Sequence, residues 1–150
     1  MSNFTSDLLT GLAQYLADAG IGVTYRTSTP YLATETGVFF GLYPTSPDRC
    51  VGLNPYAPTD EPKVALSHIR VEVALRGIPN DSLDVHDLGD AVFYVLQGAE
   101  DMTFGTAHVV QVLRVPGSSN PGGVDANKRS MRSDSYSLDV DTPLTPGRPW

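Results

Sequence analysis

Few residues in this chain have the types and spacing that chemistry needs. A single cysteine, Cys50, and three histidines, His68, His86 and His108, are the nucleophile and base candidates. A cysteine nucleophile requires a neighbouring base and a lowered thiol pKa. Cys50 stands among Asp48, Arg49 and Val51 with no base beside it, and it reads as a loop thiol. The histidines fall in no H-x-x-x-H frame and no C-x-x-C occurs, so the usual spacing of zinc ligands is missing. His86 with Asp87 and Asp90 is the one local grouping of histidine and carboxylates, and it reads as a polar helix face. There is no G-x-S-x-G elbow and no G-x-x-x-x-G-K-[ST] phosphate loop. The stretch Gly117–Gly123 is rich in glycine but has no lysine and leads into no helix. No metal, no cofactor and no catalytic role are therefore expected. An enzyme reading would have to rest on His86, Asp87 and Asp90.

Charge is more informative. Lys128, Arg129 and Arg132 form the one basic cluster, Asp84, Asp87 and Asp90 recur at every third position, and no Lys or Arg lies between Gly77 and Val112. Residues three and four apart are neighbours on a helix, so these acids form a stripe. Side chains alternate along a strand, so Arg129 and Arg132 fall on opposite faces while Arg132, Asp134 and Tyr136 share one. An Arg132–Asp134 pair is open within one chain or between two. Lys and Arg total 10 against 17 for Asp and Glu, a formal charge of −7. That balance argues against a general nucleic-acid binder, which needs a basic footprint.

The elements that must position these groups follow from periodicity. Leu8, Leu9, Leu12, Leu16 and Ala19 recur at helical spacing and predict a helix from about Ser6 to Ala19. Thr5 or Ser6 would cap it, Asp7 would complement its dipole, Gly20 would end it and Gly11 would mark a close contact. A second helix is predicted over Asp84–Gln97, with Val85, Leu88, Val92, Val95 and Leu96 inward, a cap at Ser82 or Asp84, and Gly98 at its end. Strands are expected at Val23–Arg26, Val38–Tyr43 and Ser67–Arg76, the last with Ile69, Val71, Val73 and Leu75 on one face. Later strands are expected at Met102–Phe104, at Ala107–Val115 (as a central or doubly covered strand) and at Ser130–Val140. Five prolines between Pro44 and Pro62 make that segment a long loop. Pro116–Asn127 reads as a mobile loop, and Asp141–Trp150 as a proline-rich arm.

A length of 150 residues sets one domain as the prior, and 41% hydrophobic residues suffice for one core. No apolar run approaches the ~18 residues of a spanning helix. The first ten residues hold no Lys or Arg and do not form a secretory signal. One cysteine makes no intrachain disulfide. A soluble protein of a reducing cytosol, with no membrane partner, is expected. The fold class is α+β: a mixed, mainly antiparallel sheet packed with two helices, in the order helix, three strands, helix, two to three strands. Residues 1–140 form the expected domain and 141–150 its arm. The surplus of Gly (14) and Pro (12) falls largely in the long loops and the arm, where partner contacts are expected.

The layout resembles the tail terminator proteins (minor capsid or minor tail proteins) of long-tailed bacteriophages. Four features carry the resemblance: the Asp7–Gly20 helix leading into Val23-Thr24-Tyr25; Asn54-Pro55-Tyr56-Ala57-Pro58 ahead of the strand His68–Val73; the helix Leu83–Gln97; and the late strand Arg129–Val140, of R-x-x-R-S-x-x-Y-x-x-x-V kind. It spans about residues 6 to 140 and leaves the tail after Val140 unmatched.

The resemblance implies a structural virion protein made in the host cytoplasm. It would form a homohexameric ring at the head-proximal end of the tail tube, end tube polymerisation and offer a surface to the head. Its partners would be further copies, the major tail tube protein and a head completion or connector protein. DNA would pass through the lumen without specific binding, which an acidic lining favours. A closed ring uses two different patches of each copy. Arg129, Arg132, Asp134 and Tyr136 on the late strand, and Asp84, Asp87 and Asp90 on the second helix, are the candidate ring-interface residues. Another connector ring, a tail tube component and a binding module that recruits a host factor through the tail are the alternative readings.

Overall fold

The computed structural model describes residues 4–59 and 66–141. Within them the order is α1 (Phe4–Asp18), β1 (Val23–Thr24), β2 (Thr36–Phe39), β3 (Cys50–Thr59), β4 (Leu66–Pro79), α2 (Asp84–Leu96), β5 (Glu100–Phe104), β6 (Ala107–Arg114), β7 (Asn120–Val124) and β8 (Arg129–Asp141). The strands form one sheet in the order β1-β2-β3-β4-β8-β6-β5, with β7 also on β8. β1–β2 and β2–β3 are parallel and every other pairing is antiparallel. This is the expected α+β class. The proline-rich tail beyond Asp141 lies outside the described residues.

The long pair β4–β8 is the spine of the sheet. Ile69, Val71, Val73 and Leu75 stand opposite Leu138, Tyr136, Asp134 and Arg132. Val51 and Leu53 of β3 extend that face on one side, and Val109 and Val112 of β6 on the other. Leu8, Leu12, Ala13 and Leu16 of α1 and Val85, Leu88, Val92 and Leu96 of α2 cover it. Each such fully buried aliphatic side chain stabilises the fold by about 1.5–3 kcal/mol. Gly11 is the close contact its position suggests: a Cβ there would lie 2.1 Å from Cγ of Phe104. The Met102–Phe104 strand also pairs as expected, through a turn at Gly105.

Several boundaries differ from the sequence reading. The proline-rich segment Pro44–Pro62 contains β3, paired with β4 from Cys50 to Thr59. Pro55 and Pro58 are tolerated because β2 pairs with β3 only at Cys50, Val51 and Gly52, so beyond Gly52 that side of β3 is a sheet edge. Cys50 is consequently the first residue of a strand and not a loop thiol. The expected mobile loop Pro116–Asn127 contains β7, held to β8 through its backbone. β6 is central in the sheet, between β8 and β5, but it is not doubly covered: it buries one face only, leaving Val110 and Leu113 partly exposed. β1 is shorter than Val23–Arg26, and β2 begins and ends earlier than Val38–Tyr43.

The helix caps differ as well. α1 starts at Phe4, which puts Thr5 and Ser6 inside its first turn, and Asp7 accepts hydrogen bonds from the Thr106 backbone amide (2.8 Å) and hydroxyl (2.6 Å). At α2 the cap position is Leu83. Asp81 serves in place of Ser82 or Asp84, its Oδ1 accepting from the amides of Leu83 and Asp84.

Candidate assembly surface

β8 carries charge into the buried face of the sheet. Arg132 and Asp134 have side chains 6% and 1% exposed. Arg132 donates from Nε to Asp134 Oδ1 and from Nη2 to Oδ2, both at 2.9 Å, so the pair is bidentate and lies within one chain. Its Nη1 reaches Asp90 Oδ1 of α2 at 3.1 Å. Burial disfavours the guanidinium charge, but the Asp134 and Asp90 carboxylates outweigh it, so the arginine holds its proton more tightly than usual. α2 comes this close because position 89 is glycine: a Cβ there would stand 2.7 Å from Cζ of Arg132. A mid-helix glycine costs about 1 kcal/mol of helix propensity relative to alanine, and here it admits the arginine.

Neighbouring groups complete the cluster. Arg114 Nη1 lies 3.7 Å from Asp134 Oδ2, and its guanidinium covers the Phe93 ring at 3.9 Å. Tyr136 is buried beside them with no hydrogen-bond partner for its hydroxyl among the described residues. Burial, reinforced by the Asp134 charge, raises its pKa well above the usual tyrosine range. The buried pair lies within β8, and its tie to α2 runs through the contact from Arg132 to the exposed Asp90.

Arg129 reaches the other side of the sheet, as alternation requires. It is itself buried, donating to Asp125 Oδ2 (2.9 Å), to the Thr45 carbonyl (2.6 Å) and to Asp48 Oδ1 (3.1 Å). Arg76 works beside it: Nε donates to the Asp48 carbonyl, and Nη2 to the Pro44 and Pro47 carbonyls and to Sγ of Cys50. These two arginines pin the segment 44–48 over β3 and β4. Burial pushes the Cys50 thiol pKa up despite Arg76, the opposite of nucleophile activation.

The three aspartates of α2 do not act alike. Asp84 turns inward to the Arg49 guanidinium (3.0 Å) and accepts from the Ile78 amide (3.0 Å). Asp87 and Asp90 are exposed, Asp90 at 74% even while it holds Arg132. With Leu83 and Tyr94 they form one outward row at spacings of four, three and four residues. Leu83 and Tyr94 are 68% and 85% exposed. Apolar side chains at both ends of an acidic helix stripe make a surface able to meet another protein. The sequence reading missed the tie from Arg132 to α2. Gly89 was the available signal.

The histidines do not converge with carboxylates on a cation site, and no group able to hold a metal ion occurs among the described residues. His86 lies beside Arg132, His68 pairs with Asp139, and His108 stands between Asp101 and Asp141. No helix is long and apolar enough to cross a membrane among the described residues.

Residues 15–142 match the family model described as bacteriophage tail terminator protein. The chain belongs to the bacteriophage tail terminator family. Membership makes it a structural protein of the phage tail. No curated protein matches it. Among solved structures, a chain from the virion of a native gene transfer agent (GTA) particle superposes with a TM-score of 0.68 at 15% identity, covering 94% of this chain and 99% of that chain. At that identity the likeness is one of fold, and it extends over nearly the whole terminator chain.

Proposed function

We propose that this tail terminator forms a ring at the head-proximal end of the tail tube, most simply a homohexamer, where it ends tube polymerisation and presents the joining surface for a head completion or connector protein. The match to the family model over residues 15–142 carries this reading. The candidate ring-interface residues divide into two roles. Asp87 and Asp90, flanked by Leu83 and Tyr94, are the outward row that meets a neighbouring copy. Arg132, Asp134 and Tyr136 fix α2 from beneath, while Asp84 and Arg129 anchor its start and the 44–48 segment. Residues 1–140 act in this reading as one assembly domain, and 141–150 as an arm for contacts with the tube or the head. DNA passes through the lumen, and the net charge of −7 keeps its phosphates from adhering. The protein resides in the virion tail after synthesis in the host cytoplasm.

Negative-stain electron microscopy of the purified protein, alone and with tail tube protein, tests the reading. Closed rings of uniform size, or rings capping tube ends, are expected. Filaments of the protein alone would instead identify a tube component and refute it.

A further inference from the structure

The helix-free face of the sheet carries a row of histidine–aspartate contacts along its β5–β6–β8–β4 end. Asp139 and Asp141 of β8 lie opposite His68 of β4 and His108 of β6 respectively. His68 Nδ1 pairs with Asp139. His108 is held on both sides: Nδ1 lies 2.9 Å from Asp141 Oδ2 and Nε2 lies 2.8 Å from Asp101 Oδ1. An ionised carboxylate only accepts hydrogen bonds, so both ring nitrogens of His108 must carry hydrogen. The imidazolium, donating from both nitrogens, is the form that matches two ionised carboxylates. Asp101 adopts a left-handed backbone conformation, φ 55°, rare for a side-chain-bearing residue.

We propose that His108 is a proton-operated clasp: as the imidazolium it joins Asp101 of the β5–β6 hairpin to Asp141 at the end of β8, and on losing one proton it keeps a single N–H and lets go of one of the two carboxylates. Asp141 is also paired through its backbone with Leu66 of β4 and His108 of β6, so the clasp adds a side-chain tie to a strand end that the ladder already holds. Of the other charged groups near it, the His68–Asp139 pair shares its face, Glu100 of β5 stands opposite Gln111, and Asp7 of α1, at the hairpin turn, is occupied by Thr106.

The contacts to Asp101, then to Asp141, raise the pKa of His108 above its ordinary value. The stabilisation is therefore complete below the unfolded value of about 6.5 and is lost as the pH rises through the higher folded value. Each unit by which the folded midpoint exceeds 6.5 corresponds to about a tenfold rise in hairpin opening across the transition.

Two measurements on the full chain test the clasp together. NMR titration should give His108 a midpoint above 6.5, and D101N should move that midpoint down, since asparagine tolerates the left-handed conformation but supplies no charge. Hydrogen exchange at Asp101, Met102 and Asp141, corrected for the intrinsic base-catalysed rate, should rise across the same pH range by the factor the midpoint predicts, and H108Q should remove that rise. A midpoint at or below 6.5, or an exchange rise that persists unchanged in H108Q, overturns the proposal. Both readouts belong to the free protein, so ring formation does not enter them.

Discussion

The buried Arg132–Asp134 pair allows a quantitative test of the charge that β8 carries beneath α2. Replacing Asp134 by alanine removes the bidentate partner of a guanidinium that is 6% exposed. Breaking one side of a buried pair costs about 3–5 kcal/mol, because the remaining charge is left uncompensated. Here Arg132 keeps Asp90, whose carboxylate is 74% exposed and offers a route toward water. Arg114, by contrast, loses a partner at 3.7 Å and keeps only the Phe93 ring. The low end, about 3 kcal/mol, is therefore expected. For a domain of this size that is roughly 6–12 °C in Tm. Urea unfolding followed by circular dichroism, at a concentration where all variants share one mass by light scattering, measures it. D134L, R132M and R132M/D134L form a double-mutant cycle, and the double variant should recover most of the loss, since apolar replacement of a whole buried pair is commonly neutral or stabilising. A loss below about 1 kcal/mol for D134A, or strict additivity in the cycle, would refute the claim that the pair is a coupled, desolvated unit.

Three further outcomes are expected. G11A should destabilise by up to about 2 kcal/mol in denaturant titrations, because overpacking against Cβ and Cγ of Phe104, costing about 1–3 kcal/mol, outweighs the gain of about 1 kcal/mol in helix propensity. The hydrogen bonds from Thr106 hold the Asp7 carboxyl below the usual carboxylate range; its contribution is present above about pH 3.9 and is lost as the pH falls through the lower folded value, and T106A should bring the Asp7 midpoint, read by NMR, back up. L83S and Y94S alter exposed side chains, so Tm should hold to within about 0.5 kcal/mol equivalents while the mass of the assembly falls in multi-angle light scattering; an unchanged mass would remove α2 from the ring contact.

Both helices and the spine of the sheet were legible because their side chains alternate between water and core. Ile69 to Leu75 and Arg132 to Val140 read as strands for that reason, and they are the paired centre of the fold. β3 was not legible: its prolines signal a loop, and their harmlessness depends on β2 stopping at Phe39, a fact of tertiary pairing. β7 shows why pattern can fail altogether. All five of its residues are exposed, so its attachment to β8 is a matter of backbone alone and leaves no mark in side-chain type. At the assembly surface, the shared face of Arg132, Asp134 and Tyr136 followed from strand parity. That Asp90 closes over Arg132 while Asp84 turns away to Arg49 depends on the angle at which α2 crosses the sheet, which helix periodicity does not encode.

The engagement of arginines inside the chain has a consequence for colloidal behaviour. Arg26, Arg49, Arg114, Arg129 and Arg132 are committed to carboxylates of their own chain, and Arg76 is buried against carbonyls. Among the described cations only Arg70 and Lys128 are exposed. Over the described surface, two approaching copies therefore meet as like-charged faces, with little positive charge to offer each other. Mobile ions shorten the reach of that repulsion from about 30 Å at 10 mM to about 8 Å at 150 mM ionic strength. Added salt should thus promote self-association of this protein, the reverse of its effect on contacts held by ion pairs.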